Sequence, residues 1–209
     1  MSAPPGRRTQ AERRTATRSA LVRATVDSLV ELGYARTTTQ EVQSRAGVSR
    51  GALTHHFTAK ADLVLAAMDH LYEEFSESVR KAAAELPDDP ATRIRLGIEL
   101  IWERFHGPLF VASMELWTAA RTDAELRAAL LPHERRLGAQ LRELSAEVFG
   151  ERVARHPASE AVYQVLLTSM RGQAMTSFLQ PEAPRSGPHL QHWRAILEAF
   201  EPASAGGGR

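Results

Sequence analysis

The chain has 209 residues, 43% of them hydrophobic and 24% charged, and no cysteine. That is enough for a buried core in one or two domains, and it excludes disulfides, thiolate zinc sites, iron–sulfur clusters and a cysteine nucleophile. The net charge of +1 hides a division: residues 1–60 carry 10 Lys/Arg against 4 Asp/Glu, a balance of +6, while residues 61–209 carry 16 against 21, a balance of −5. A basic part joined to an acidic one points to a polyanion-binding module attached to something else. No run reaches the roughly 18 consecutive apolar residues of a membrane span, and Met1 to Arg18 has no apolar core of a secretory signal. No membrane association and a cytoplasmic place of action are expected.

In chain order, a Pro-rich start and Arg7, Arg8, Arg13 and Arg14 predict a disordered basic arm over residues 1–13. Val22, Val26, Leu29 and Val30 recur at helical spacing and define a first helix over about 10–32, stopped at Gly33. Thr38 and Glu41 have the spacing of a capping box and start a second helix that runs to about Ala46. Gly47 supplies a turn, and Ser49 is an N-cap for a short third helix containing Ala52, Leu53 and His56. A long amphipathic helix follows, from Thr58 to Leu86, ended by Pro87 and Pro90. Further helices are predicted over 92–105, 108–121, 123–131, 132–149, 157–180 and 188–200, four of them with proline near the first turn. No segment shows the sustained alternation of a strand, so the fold is predicted to be all-α.

Two short helices joined by a glycine turn, braced by a basic first helix, meet the geometric definition of a helix-turn-helix. Its second helix would present Arg50, Gly51, Thr54 and His55, with His56 and Lys60 behind them. The residues Gly33-Tyr34, Thr38, Val42, Ala46-Gly47-Val48-Ser49, Gly51-Ala52-Leu53, His56-Phe57 and Lys60-Ala61-Asp62-Leu63 resemble the N-terminal signature of the TetR family of bacterial transcriptional regulators. The resemblance covers residues 14–74. It departs at Thr54, where the family usually has tyrosine, and at Gln43, where a small buried alanine is usual.

The resemblance implies a DNA-binding set of Thr38, Thr39, Gln40, Arg45, Ser49, Arg50, Gly51, Thr54, His55, His56 and Lys60. Thr39, His56 and Lys60 fall where phosphate contacts are usual, and Gln40, Arg50, Gly51 and Thr54 where base contacts are. Side-chain chemistry agrees: Arg50 can fork onto guanine O6 and N7, Gln40 onto adenine N6 and N7, and Thr54 can offer its methyl to thymine. Arg45 and the arm arginines would add sequence-independent attraction.

Beyond residue 60 the sequence is less explicit. Trp102, Phe105, His106, Phe110, Met114, Trp117, Met170, Arg171 and Phe178 form a candidate ligand-binding set, because flexible methionine beside rigid aromatics suits an adaptable apolar pocket. The resemblance also implies a small effector among these helices. Glu99, Glu115, Gln164 and Thr168 are further polar candidates. For assembly, Leu190, Trp193, Leu197 and Phe200 form an a/d-type seam. The preceding helix has stripes through Leu167, Met170, Ala174 and Phe178 and through Val162, Leu166 and Ser169, so a homodimer through the last two helices is expected.

The adjacent His55 and His56 point about 100° apart on a helix. Glu103 and His106 have di-iron ligand spacing, but no second copy of the motif exists. No metal or cofactor is therefore expected, and no catalytic nucleophile motif appears. The predicted organisation is an arm (1–13), a helix-turn-helix domain (14–60), a helical effector and dimerisation domain (61–201) and a flexible tail (202–209). The expected function is a repressor that binds a palindromic operator as a dimer and is released by a small apolar effector. The alternative is a DNA-binding regulator whose C-terminal part only dimerises.

Overall fold

The computed structural model describes residues 9–179 and 187–199, and every element among them is a helix. The elements are α1 (Gln10–Leu32), α2 (Thr39–Ala46), α3 (Arg50–His56), α4 (Lys60–Ala84), α5 (Pro90–Arg104), α6 (Pro108–Ala120), α7 (Ala124–Phe149), α8 (Glu151–Ala154), α9 (Ser159–Ser177) and α10 (Pro188–Glu198). They fall into two compact units. The first runs through Tyr72 and takes in Val111–His133; the second holds Glu73–Phe110 and the chain from Glu134 onward. The compact units thus divide at different places from the charge boundary at residue 60. The stretch 111–133, assigned by sequence to the effector part, packs with the helix-turn-helix.

In the first unit, Leu21, Val22 and Ala24 of α1 bury against Val42 of α2, Leu53 of α3, Phe57 and Leu63. One apolar face on each short helix is enough, because three helices share the core and each leaves its opposite face outside. Thr25, Ser28 and Thr37, buried polar residues of this unit, are paired. Thr25 donates to the Leu21 carbonyl at 2.8 Å, Ser28 to the Thr37 hydroxyl at 3.1 Å, and Thr37 to the Gly33 carbonyl at 2.9 Å, so the α1–α2 connection is tied from within. The turn between α2 and α3 is made by Gly47 in the left-handed conformation, φ 64° and ψ 32°.

In the second unit, Val79 and Ala83 of α4 pack on Leu144 and Val148 of α7. Arg93 fastens the same region by donating to the carbonyls of Glu147 at 2.8 Å and Leu86 at 3.3 Å. Helix α10 packs on α5 and α9, with Trp193 5.0 Å from Trp102 and its indole N–H donated to Ser169 Oγ at 2.9 Å.

Three sequence expectations change. Residues 10–13 belong to α1 rather than to a disordered arm, because Thr9 and Glu12 form a reciprocal capping box, at 3.2 and 2.7 Å, that starts the helix at Gln10. Residues 1–8 and the tail 202–209 lie outside the described residues. The helices predicted over 123–131 and 132–149 are one helix, α7, which runs through Pro132. Proline there deletes one N–H donor on the exposed side, while Leu126, Leu130, Leu137 and Leu144 bury a continuous stripe across it. The segment over 157–180 starts later, at Ser159, after the short α8 and a reversal at Gly150 with φ 83°.

Candidate nucleic-acid interface and effector region

Helices α2 and α3 are held by their own caps. Thr38 Oγ accepts from the Glu41 amide at 3.1 Å and Ser49 Oγ from the Ala52 amide at 3.2 Å, so both hydroxyls serve the helix ends. The predicted capping box at α2 is only half made. The Glu41 carboxylate turns to Arg45 at 2.6 Å, and Arg45 also reaches Glu31 of α1 at 2.7 Å. Arg45 therefore binds α2 to the end of α1 with its charge balanced by two carboxylates, which hold its pKa above the ordinary arginine value. The sequence-independent attraction to DNA expected of Arg45 would thus come from a guanidinium already shared with two carboxylates.

Thr39, Gln40, Arg50, Gly51, Thr54 and His55 are all exposed. The Thr54 hydroxyl is turned back onto the carbonyls of Arg50 and Gly51, both at 3.2 Å, a local back-bond that competes with contacts to an outside partner. A Cβ at Gly51 would meet nothing within 4 Å, so packing inside the chain does not require a glycine there. His56 is half-buried and its pKa is lowered, first by burial and then by His55, Arg14 and Arg18. Arg18 itself lies 5.5 Å over the Phe57 ring.

Lys60, which the resemblance puts among the phosphate contacts, is engaged within the chain. Its ammonium donates to the Tyr34 carbonyl at 2.8 Å and sits 3.6 Å over the Tyr34 ring, and burial lowers its pKa against the opposing pull of Asp123. From the other side, the Tyr34 amide donates to Glu115 Oε2 of α6 at 2.8 Å. The Gly33–Tyr34 link, which sets where α2 begins, is thus gripped by α4 and α6 together. Lys60→Ala is expected to lower stability by about 1 to 2 kcal/mol and to leave the salt dependence of DNA binding unchanged. A denaturant titration and a binding series at several salt concentrations check both.

Of the candidate effector residues, the second unit brings five together through ring contacts. Trp102 lies 4.7 Å from His106 and 6.3 Å from Phe105, Phe105 5.2 Å from Phe110, and Phe110 is stacked on Phe178 at 6.1 Å. His189 and Trp193 of α10 join them at Trp102, each at 5.0 Å, and neither was in the predicted set. The spacing of Trp193 with Trp102 was unreadable from sequence because α10 had been given to the dimer seam. Met170 is buried, and the partly buried Arg171 has its pKa lowered by desolvation, with Glu134 and Tyr163 opposing. Met114 and Trp117 belong to the first unit. Of the polar candidates, Glu115 serves the Tyr34 amide, Glu99 pairs with Arg194, and Gln164 donates to Glu160 at 3.0 Å.

Part of the predicted seam is occupied within the chain. Trp193 and Leu197 are 2% and 1% exposed in the chain's own core, so the apolar face of α10 is already used; Phe200 lies outside the described residues. On α9 the buried stripe is Val162, Leu166, Met170 and Ala174. The outward stripe is Ala161, Val165, Thr168, Gly172 and Met175, continued by Leu179 just past the helix end. Its spacing of 4, 3, 4, 3 and 4 is that of an a/d seam, and Val165 and Leu179 are 55% and 84% exposed.

Comparison with known proteins agrees with this architecture. Residues 21–67 match the model for bacterial regulatory proteins of the tetR family. The chain is 34% identical over 182 residues to the HTH-type transcriptional regulator CymR of Pseudomonas putida, covering 87% of this chain and 89% of that one. It is 29% identical over 126 residues to the HTH-type transcriptional regulator BetI of Stenotrophomonas maltophilia strain R551-3, with 59% and 64% covered. Among solved structures, a TetR transcription regulator from Haloarcula marismortui superposes with a TM-score of 0.66 at 22% identity, over 89% of this chain and 96% of the other. Among the described residues, no helix is long and apolar enough to cross a membrane.

Proposed function

Because the chain belongs to the tetR family and is a DNA-binding transcriptional regulator rather than an enzyme, we propose that it is a cytoplasmic homodimeric repressor that occupies a palindromic operator and leaves it when a small apolar effector binds. The observation that carries this reading is the exposed edge of α3. Arg50, Gly51, Thr54 and His55 stand clear of the core while Leu53 anchors the opposite face, the division of labour of a helix that enters a major groove. Thr39 and Gln40, exposed at the start of α2, extend the same contact surface.

The outward stripe of α9 supports a two-fold partner. A second copy laid against it would bury Val165, Met175 and Leu179 at once, and Gly172 would let the two backbones approach. Two recognition helices related by that axis read half-sites about 34 to 36 Å apart. For the effector, the ring cluster around Trp102 and Phe110 favours an apolar, flat molecule. Such a ligand changes DNA affinity only by binding the operator-competent and released conformations unequally.

Selection of genomic fragments by the purified protein tests the operator. A recurrent palindrome with half-sites one helical turn apart is expected; fragments enriched without any shared sequence would overturn the reading. A compound panel screened by thermal stabilisation tests the effector. A stabilising compound that also releases the selected operator at fixed salt is expected, and stabilisers that leave operator affinity unchanged would favour the regulator whose C-terminal part only dimerises.

A further inference from the structure

The outward stripe of α9 has a size pattern that fits a reversed copy of itself. From the start of the helix it reads Ala161, Val165, Thr168, Gly172, Met175 and Leu179, with the small side chains early and the large ones at the end. Laid parallel, two such stripes set Ala161 on Ala161 and Leu179 on Leu179, which leaves a gap at one end and crowding at the other. Laid antiparallel about a two-fold axis, Leu179 meets the partner's Ala161, Met175 meets the partner's Val165, and Thr168 meets the partner's Gly172. Large then fills small along the whole seam, so the second copy runs opposite to the first.

The aromatic cluster of the second unit is open at its α9 edge. Phe178 is stacked on Phe110 at 6.1 Å, and Phe110 meets Phe105 at 5.2 Å, yet Phe178 is 48% exposed. Gln164 and Phe178 are two heptads apart and share one flank of α9, with Glu160 one turn before Gln164. Within one chain Gln164 and Phe178 stand about 21 Å apart along the helix axis and cannot meet. Antiparallel pairing sets the start of one α9 beside the end of the other, with like flanks on the same side of the seam. The polar corner that arrives there is already ordered, since Glu160 takes Arg142 at 2.7 Å and the Gln164 amide at 3.0 Å. Because a carboxylate accepts, the Gln164 NH2 is turned towards it and the Gln164 carbonyl oxygen is left to accept from elsewhere.

We propose that the effector site is shared between protomers: Phe105, Phe110 and Phe178 of one chain supply its flat apolar wall, and the partner's Gln164, held by the partner's Glu160, supplies a hydrogen-bond acceptor at the open edge. The ligand is then a flat apolar molecule that carries an N–H or O–H donor. The proposal rests on the dimer and effector readings above and adds where the second chain enters the site.

The test titrates N-phenylnaphthylamine, a flat apolar fluorophore with a single N–H donor, into the full-length protein. Gln164→Ala and Phe178→Ala homodimers are each expected to bind it about tenfold more weakly than the wild type. A heterodimer of one chain of each, co-expressed with different tags, is expected to regain one site of wild-type affinity, built from Phe178 of the first chain and Gln164 of the second. Phe178→Leu, which keeps apolar volume but loses the stack, replaces Phe178→Ala if that variant does not fold. A heterodimer with only weak sites would overturn the proposal, because both residues would then act within one chain. So would wild-type affinity in the Gln164→Ala homodimer or in a monomeric Val165→Glu chain. A wild-type dimer that leaves the probe dark would instead overturn the effector reading, and a wild-type chain that is monomeric by light scattering would overturn the dimer reading.

Discussion

Gly33→Ala is expected to lower the stability of the first unit by about 3 kcal/mol. Gly33 ends α1 with φ 77°, a region that costs any residue with a Cβ. The added Cβ would stand 2.5 Å from Glu115 Oε2. A glutamate side chain can swing away from such a contact, but only by surrendering the 2.8 Å bond it accepts from the Tyr34 amide. The cost is therefore backbone strain plus a lost charge-assisted hydrogen bond. The two parts separate in a double-mutant cycle. On a Glu115→Ala background that bond is already gone, so Gly33→Ala should cost only the strain, and the double variant should be more stable than the sum of the single losses predicts. Urea melts of the four proteins measure it; strict additivity would mean that the carboxylate does not answer to Gly33.

Val165→Glu is expected to convert the dimer to monomer and to weaken operator binding by about 100-fold or more. Val165 is 55% exposed on the α9 stripe, so in an isolated chain the substitution removes little buried surface and changes stability by about 0.5 kcal/mol or less. In a two-fold interface the same glutamate meets the apolar stripe of the partner copy. An unpaired carboxylate buried there is costly. Loss of the dimer removes the coupling between half-sites, which is where the large factor comes from. Light scattering gives the assembly and anisotropy the affinity. A Val165→Glu protein that remains dimeric would move the interface to another surface, with the outer face of α10, through His192 and Ala195, the next to be substituted.

Most of the helix-turn-helix was legible in the sequence because each of its boundaries is set locally. Gly33, the Thr38 cap, Gly47 and Ser49 each act on amides or dihedrals within a few residues, and periodicity does the rest. What was not legible depends on partners distant in the chain. Whether Arg45 and Lys60 stand free or are occupied is decided by Glu31 and by Tyr34, and nothing in residue type distinguishes a phosphate-seeking lysine from one that holds a carbonyl. The a/d spacing of α10 was real, but spacing alone does not say which helix fills it; Trp102 of the same chain does.

Two misreadings had a usable signal. Thr9 and Glu12 carry the same capping spacing that identified α2, overshadowed by the arginines around them. The stripe Leu126, Leu130, Leu137 and Leu144 keeps its phase across Pro132, which argues for one helix over two. The Trp102 cluster is of a third kind. Its members were named from sequence as aromatics and methionines in bulk, yet only side-chain packing separates Phe110 and Phe178, which stack, from Met114 and Trp117, which lie in the first unit.

The proposed base reading by α3 is tested most directly at Arg50. Affinities of the wild-type and Arg50→Ala proteins are measured against the selected operator and its complete set of single-base variants at one salt concentration. Reading by Arg50 predicts a loss of about 1 to 3 kcal/mol on the operator, with discrimination erased at one position in each half-site and kept at all others. A uniform loss across every variant, with discrimination intact at all positions, would show that Arg50 serves the backbone and would contradict the assignment of α3 as the reading helix through this residue.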